Sequence, residues 1–271
     1  DTLIGSASAD LVNLSGATTM QVANIDTLLG SASAEQVTLS AATTMTVGAI
    51  NTLTGTAFAE NVTVSGGGTM TTQAIDTLVG SASNDSITLA AAQSSAVYNL
   101  LGGEDMLLLA DGINSLTVGN VETLQGGTGA DTIALLGQTG STLRVAGIET
   151  LTGTAASDRI TTSGAATMQV SAVESLFGTA SAERISLTGA NTVTVAGIDS
   201  LLGSLAAERV TFSGAVTATV AGIDTLVGSS AADRVTLTEA QTVTVAALDS
   251  LTGSASRESV TVTGDASVTI A

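Results

Sequence analysis

Apolar and polar residues alternate along this chain in short runs. Three such runs recur in a fixed order: Asp-Thr-Leu, then a middle run such as Arg-Val-Thr-Leu, then Thr-Val-Thr-Val before a closing apolar residue. A period of two means one face inward and one outward, so each run predicts a short strand. The set returns every 25 residues, as residues 26–50, DTLLGSASAEQVTLSAATTMTVGAI, and residues 174–198, ESLFGTASAERISLTGANTVTVAGI, illustrate. Copies begin near Asp1, Asp26, Asn51, Asp76, Leu101, Glu122, Glu149, Glu174, Asp199, Asp224 and Asp249. Glycine recurs at the fifth place of the copy, from Gly5 and Gly30 to Gly253. There a residue without Cβ suits a turn with positive φ. Thr, Val and regularly spaced Gly all disfavour amphipathic helices.

No copy of this size can bury its own apolar face, so the copies must stack. The expected fold is all-β: a right-handed parallel β-solenoid spanning residues 1–271 as a single unit, about eleven coils of ~25 residues with three short strands per coil. Leu3, Leu28, Leu53 and Leu78 then form one inward ladder, and Val12, Val37, Val62 and Ile87 a second.

Composition narrows this further. The chain has no Pro, Cys, His, Trp or Lys, and 44% apolar residues against 1% aromatic ones, so its core is narrow and aliphatic. A formal charge of −18, from 24 acids and six Arg, excludes nucleic-acid binding, which needs basic patches. The chain has no His, Cys or Lys to act as base or nucleophile, and its carboxylates run in rows with no isolated pair in a cleft, so no enzyme is expected. No apolar run reaches membrane-spanning length.

The rows of acids are where chemistry enters. Asp10, Glu35, Glu60, Asp85, Asp131, Asp158, Glu183, Glu208, Asp233 and Glu258 all hold the tenth place of their copies. Stacked one coil apart, such charges repel by roughly 1 kcal/mol in water. In four consecutive copies the next residue is Arg159, Arg184, Arg209 or Arg234, which predicts a cationic row beside the anionic one. Elsewhere the acids need backbone hydrogen bonds, full solvation or a bound cation. The acids at the first place of the copy precede Thr or Ser and are expected to cap turns by accepting from backbone N–H groups.

Residues 126–134, Gly-Gly-Thr-Gly-Ala-Asp-Thr-Ile-Ala, match every fixed position of the G-G-x-G-x-D-x-U-x nonapeptide. Residues 102–107, Gly-Gly-Glu-Asp-Met-Leu, look like a shortened form, and residues 30–37, G-S-A-S-A-E-Q-V, like an eroded one. The chain therefore resembles the repeats-in-toxin (RTX, hemolysin-type) calcium-binding repeat proteins of bacteria. The family's roll sets two nonapeptides in each coil, whereas here one turn of that type falls in each 25-residue copy. The resemblance implies Ca²⁺ held between neighbouring coils by carboxylates and turn carbonyls, with Asp85, Glu104, Asp105 and Asp131 as the candidate ligands, in a protein that folds outside the cell. Ca²⁺ takes six to eight oxygens in loose geometry, which suits such turns. A solvated, hydrogen-bonded acidic edge is the other reading of the same residues.

Two functional classes remain. One is a structural extracellular fibre, an S-layer-like coat or an adhesin stalk at the bacterial cell surface. The repeat runs to both ends of the sequence without a polar cap, so the expectation is either a section of a longer chain or head-to-tail self-association along the solenoid axis, through edges carrying Leu3, Val12, Val260 and Ile270. Other surface components are further candidate partners. The alternative is a ligand- or ice-binding solenoid using flat rows of Thr, from Thr44 and Thr46, Thr69 and Thr71, Thr192 and Thr194, Thr217 and Thr219, and Thr242 and Thr244.

Overall fold

The computed structural model describes residues 1–179 and 182–264, together with the backbone of the strand Thr269–Ile270. Residues 180–181, 265–268 and 271 and the side chains of Thr269 and Ile270 lie outside the described residues, and with them part of the copy beginning at Glu174 and part of the expected C-terminal edge. The chain forms two compact units, residues 1–136 and 137–271.

In the first unit successive strands alternate between two parallel sheets. Thr2–Ile4, Thr18–Ala23, Glu35–Leu39, Thr52–Thr54 and Gly68–Gln73 belong to the first sheet, which continues to Thr123–Gln125. Leu11–Asn13, Thr27–Leu29, Thr43–Gly48, Glu60–Val64 and Thr77–Val79 belong to the second, which continues to Thr132–Leu135. The second unit repeats the plan, with Thr142–Ala146, Arg159–Thr162 and Ser175–Phe177 opening one sheet and Thr150–Thr152, Ala166–Ser171 and Glu183–Leu187 the other.

The parallel β-solenoid is as expected, but its coil is not. Three strands per 25 residues is right, whereas one coil holds two strands, one from each sheet, and the chain makes about 15 coils in place of eleven. Leu3 pairs with Val22, and Val37 with Leu53, so the chain returns over itself after 19 and 16 residues. A copy therefore occupies one and a half coils, and matching positions of successive copies fall on opposite sheets. Leu3 and Leu53 share the first sheet while Leu28 and Leu78 lie in the second, so the expected leucine ladder is two ladders. The same half-coil step splits the Thr pairs: Thr44 and Thr46 stand on the second sheet, Thr69 and Thr71 on the first.

Each inward column mixes all three strand types. Val37, Leu53 and Ile87 are no more than 1% exposed in the first sheet, as are Leu28, Val62 and Leu78 in the second. Burying each such side chain stabilises the fold by about 1.5–3 kcal/mol. Tyr98, the one tyrosine, reaches across this narrow core from the second sheet to Thr72 of the first, with Oη and Oγ1 3.1 Å apart. Burial pushes its phenol up to about 12.

The recurrent glycine has a different cause from the one expected. None of Gly5, Gly30, Gly55, Gly153, Gly203 or Gly228 has positive φ. They are glycines because the next coil passes too close: a Cβ on Gly55 would stand 1.9 Å from the Ala74 carbonyl oxygen, and one on Gly30 2.1 Å from that of Ala49. The left-handed residue is the one passing over them, two places before the acid that opens the following copy. It is Asn24, Ala49, Ala74, Ala172 or Ala247 in some copies, with φ between 50° and 54°, and Gly147, Gly197 or Gly222 in others. An L-residue other than Asn is strained there. Ala49→Gly is expected to raise stability by roughly 1 kcal/mol, read from the urea midpoint. An unchanged or lower midpoint would contradict the strain.

Candidate cation-binding corners

Corners join the sheets, and the acids sit in them. In the corner Gly30–Ala34, Glu35 turns its carboxylate back beneath the loop, where Oε1 accepts from the Ser31 N–H at 2.9 Å and from the Ser31 hydroxyl at 2.5 Å. Asp85 does the same with Ser81, at 2.8 and 3.1 Å, and Asp158 with Thr154, at 2.6 and 2.9 Å. Short polar side chains close turns in this way because their oxygens reach backbone N–H groups a few residues off. Most of the tenth-place acids are consequently buried: Glu35, Glu60, Asp85, Asp158, Glu183, Glu208 and Asp233 are at most 2% exposed, while Asp10 and Glu258 are half-buried.

The expected ladder of like charges one coil apart does not form. The half-coil step puts the Glu35 corner, which leads from the second sheet to the first, on the opposite edge from the Glu60 corner, which leads from the first to the second. Nor is there a cationic row: Arg159 and Arg209 stand on one sheet of the second unit, Arg184 and Arg234 on the other. First-place acids do cap backbone N–H groups, with the donor in the preceding coil. Asp76 accepts from the Glu60 N–H at 3.0 Å, Asp199 from Glu183 at 3.0 Å and Asp249 from Asp233 at 2.9 Å. Asn51 accepts from the Glu35 N–H at 3.0 Å, so the position needs an acceptor and not a charge.

Of the four candidate ligands, Asp85, Glu104 and Asp105 come together at corners leading from the second sheet to the first. The Asp85 N–H donates to Asp105 Oδ1 at 2.7 Å, and the Asp105 N–H to Glu122 Oε2 at 2.7 Å. Asp85 and Asp105 are both 2% exposed, and Asp85 Oδ1 and Asp105 Oδ2 are buried without a hydrogen-bond partner. Burial raises the Asp105 carboxyl above its ordinary 3.8, a rise opposed by the Asp85 N–H bond and reinforced by the charges of Asp85, Glu122 and Glu104. Glu104 is exposed, its N–H held by Asn84 Oδ1 at 3.0 Å.

Asp131 lies on the other edge, in a corner leading from the first sheet to the second. Its Oδ2 accepts from the Gly127 N–H at 3.1 Å, and its Oδ1 from the Asn114 N–H at 3.2 Å and Asn114 Nδ2 at 2.8 Å. Beside it the exposed Asp111 accepts from the N–H and hydroxyl of Thr128, at 2.8 and 2.9 Å, which holds its carboxyl below the ordinary value.

Sequence reasoning placed Glu122 among the N–H-capping acids but did not connect it with Asp105, and it missed Asn114. Both stand 17 residues from the acid they serve, one coil away, and a search at that spacing would have found them where the 25-residue period did not. Among the described residues no three acidic side chains form a ready metal cage. Two orphaned anionic oxygens in adjoining coils are nevertheless what a hard, oxygen-seeking cation would satisfy, so the residues present fit Ca²⁺ at this edge.

The family model of the RTX calcium-binding nonapeptide repeat (4 copies) matches residues 70–91 and 118–135, which contain the Asp85 and Asp131 corners. No curated protein and no solved structure matches the chain. Such repeats are typical of secreted or surface proteins of bacteria, and no described helix is long and apolar enough to cross a membrane. With residues 70–91 and 118–135 similar to that nonapeptide repeat and its strands wound into two parallel sheets, the chain is a parallel β-solenoid with RTX-like repeats over those stretches.

Proposed function

We propose that this chain is a calcium-stabilised, non-catalytic structural section of a secreted or cell-surface protein, with its cation locus at Asp85, Asp105 and Glu104, next to Glu122. The orphaned pair Asp85 Oδ1 and Asp105 Oδ2 carries the reading. Two buried anionic oxygens without donors destabilise the ion-free protein, and a divalent cation offsets that cost by bridging adjoining coils. Asp85 and Asp105 would hold the ion from within the corner, and Glu104 from the solvent side. An ion that binds only the folded form stabilises it by about 2.7 kcal/mol at a hundred times its dissociation constant. Thermal unfolding in millimolar Ca²⁺ is therefore expected at a clearly higher temperature than in chelator, and identical curves would overturn the calcium reading.

In its finer form the proposal is an extracellular fibre, S-layer-like coat or adhesin stalk in which copies stack head to tail along the solenoid axis. The support is that the parallel pairing joining coil to coil within each unit extends without closing. Electron microscopy and sedimentation at high protein concentration test it. Single particles under all calcium conditions would remove the assembly and leave the calcium reading standing.

A further inference from the structure

The corners differ in what sits four residues before the acid. In nine of them, among the described residues, it is Ser or Thr and the hydroxyl faces the acid: Ser6, Ser31, Thr56, Ser81, Thr154, Thr179, Ser204, Ser229 and Ser254. The same oxygen often accepts the N–H two residues on, as Ser31 does from Ser33 at 3.0 Å and Ser204 from Ala206 at 3.0 Å. One hydroxyl thus ties the carboxylate to the loop above it.

Two corners break the rule. Before Asp131 the position is Gly127, which offers only its N–H, and before Asp105 it is Leu101, whose side chain is exposed and has no donor. In the Asp131 corner an amide has taken over: Asn114 Nδ2 donates to Asp131 Oδ1 at 2.8 Å and to the Ala110 carbonyl at 2.8 Å, joining a carboxylate to a turn carbonyl. Those are the two kinds of oxygen a cation between coils would join. Only Asp105 has neither hydroxyl nor amide, and it is Asp105 whose orphaned oxygen lies in the coil next to another orphan. The buried Glu35, Glu60, Glu183 and Glu208 each keep one unpartnered oxygen too, but no second orphaned oxygen adjoins it among the described residues.

We propose that side-chain donors built into the corners, the hydroxyl four residues before the acid and the Asn114 amide, stand in for the cation, so that calcium dependence is confined to the Asp85–Asp105 edge and the turn matching the nonapeptide best is closed by the protein itself. A donor aimed at a buried carboxylate and a bound cation relieve the same desolvation cost, so a corner that has one needs no cation of its own; Asp85, tied to Ser81, shares the cation only because the adjoining Asp105 corner has no such donor. Corners closed by hydrogen bonds from the chain's own side chains hold at any calcium level, and only the edge with the open one responds to it. This inference rests on the calcium reading above.

Hydrogen exchange read by mass spectrometry, with calcium per chain measured by titration, tests it on the full chain. In the wild type, Ca²⁺ is expected to slow exchange about tenfold in residues 81–108 and to leave residues 30–39 and 203–212 unchanged. Asn114→Ala, which empties the amide's place and keeps the backbone, is expected to bind one more Ca²⁺ and to gain calcium-dependent protection over residues 126–135. Ser204→Gly should gain it over residues 203–212, which keeps the test open if Asn114→Ala does not fold. Calcium protection in the wild type at hydroxyl corners other than Ser81–Asp85, which adjoins the open Asp105 corner, or no gain in a folded variant, would overturn the inference. A wild type that binds no Ca²⁺ would instead overturn the calcium reading, and a folded Asn114→Ala that does bind it would still support the substitution.

Discussion

Gly153→Ala is expected to destabilise its unit by about 3 kcal/mol or more, a large loss for one methyl group. The Cβ would stand 1.8 Å from the Ala172 carbonyl oxygen and 2.8 Å from Asp158 Oδ2. Neither neighbour can step aside cheaply. Ala172 is already held at φ 50°, the Gly153 N–H donates to the Ser171 carbonyl at 2.8 Å, and Asp158 Oδ2 is fixed by the N–H and hydroxyl of Thr154. Relief would require separating two coils, which breaks the stacking that stabilises a solenoid. Gly66→Ala is the control: nothing lies within 4 Å of its Cβ and φ is not positive, so a gain of about 0.4–1 kcal/mol is expected from the stiffer unfolded chain. Urea unfolding of the two variants checks both, and equal effects would refute close approach as the reason for the repeated glycine.

Asp105→Asn is expected to change sign with calcium. The amide oxygen can still accept the Asp85 N–H, while the buried charge and its repulsion by Asp85, Glu122 and Glu104 disappear. In chelator the variant should therefore be more stable than the wild type, by on the order of 1–3 kcal/mol, the cost of an unsatisfied buried group. In excess Ca²⁺ it should be the less stable of the two, because the ion loses a ligand. Acid gives a second reading. The folded-state carboxyl of Asp105 is raised, so its contribution to ion-free stability is fully present below the ordinary value of 3.8 and is lost as pH rises through the folded-state value. Lowering the pH in chelator should narrow the gap between wild type and variant. A variant less stable than the wild type under both conditions would mean that Asp105 acts as a structural anion and not as a cation ligand.

The candidate edge was partly legible. Glu104 and Asp105 could be picked out because the Gly102-Gly103 turn before them is an unusual local arrangement, and the structure places them together with Asp85. Asp131 was picked for the same reason, yet its oxygens are taken by Asn114 and Gly127. That partnership depends on which residue the previous coil sets beneath the corner, and a motif contains no information about its neighbour in space.

What the sequence determined by itself is the strand content and the aliphatic interior. Alternation in residues such as Thr52–Thr54 and Glu60–Val64 admits one inward face, a 25-residue copy cannot bury it alone, and stacked parallel strands are the solution. What only the tertiary structure decided is where the chain comes back over itself. A sequence period records when an environment recurs, and with three strands to a copy and two sheets to fill, the environment recurs after one and a half coils. The three strand types share one alternating pattern, so apolar packing lets any of them lie on any other. The choice falls to the corners: the glycine that lets the next coil's carbonyl approach, and the acceptor 16 residues on that caps the acid's N–H, contacts that exist only once neighbouring coils have met.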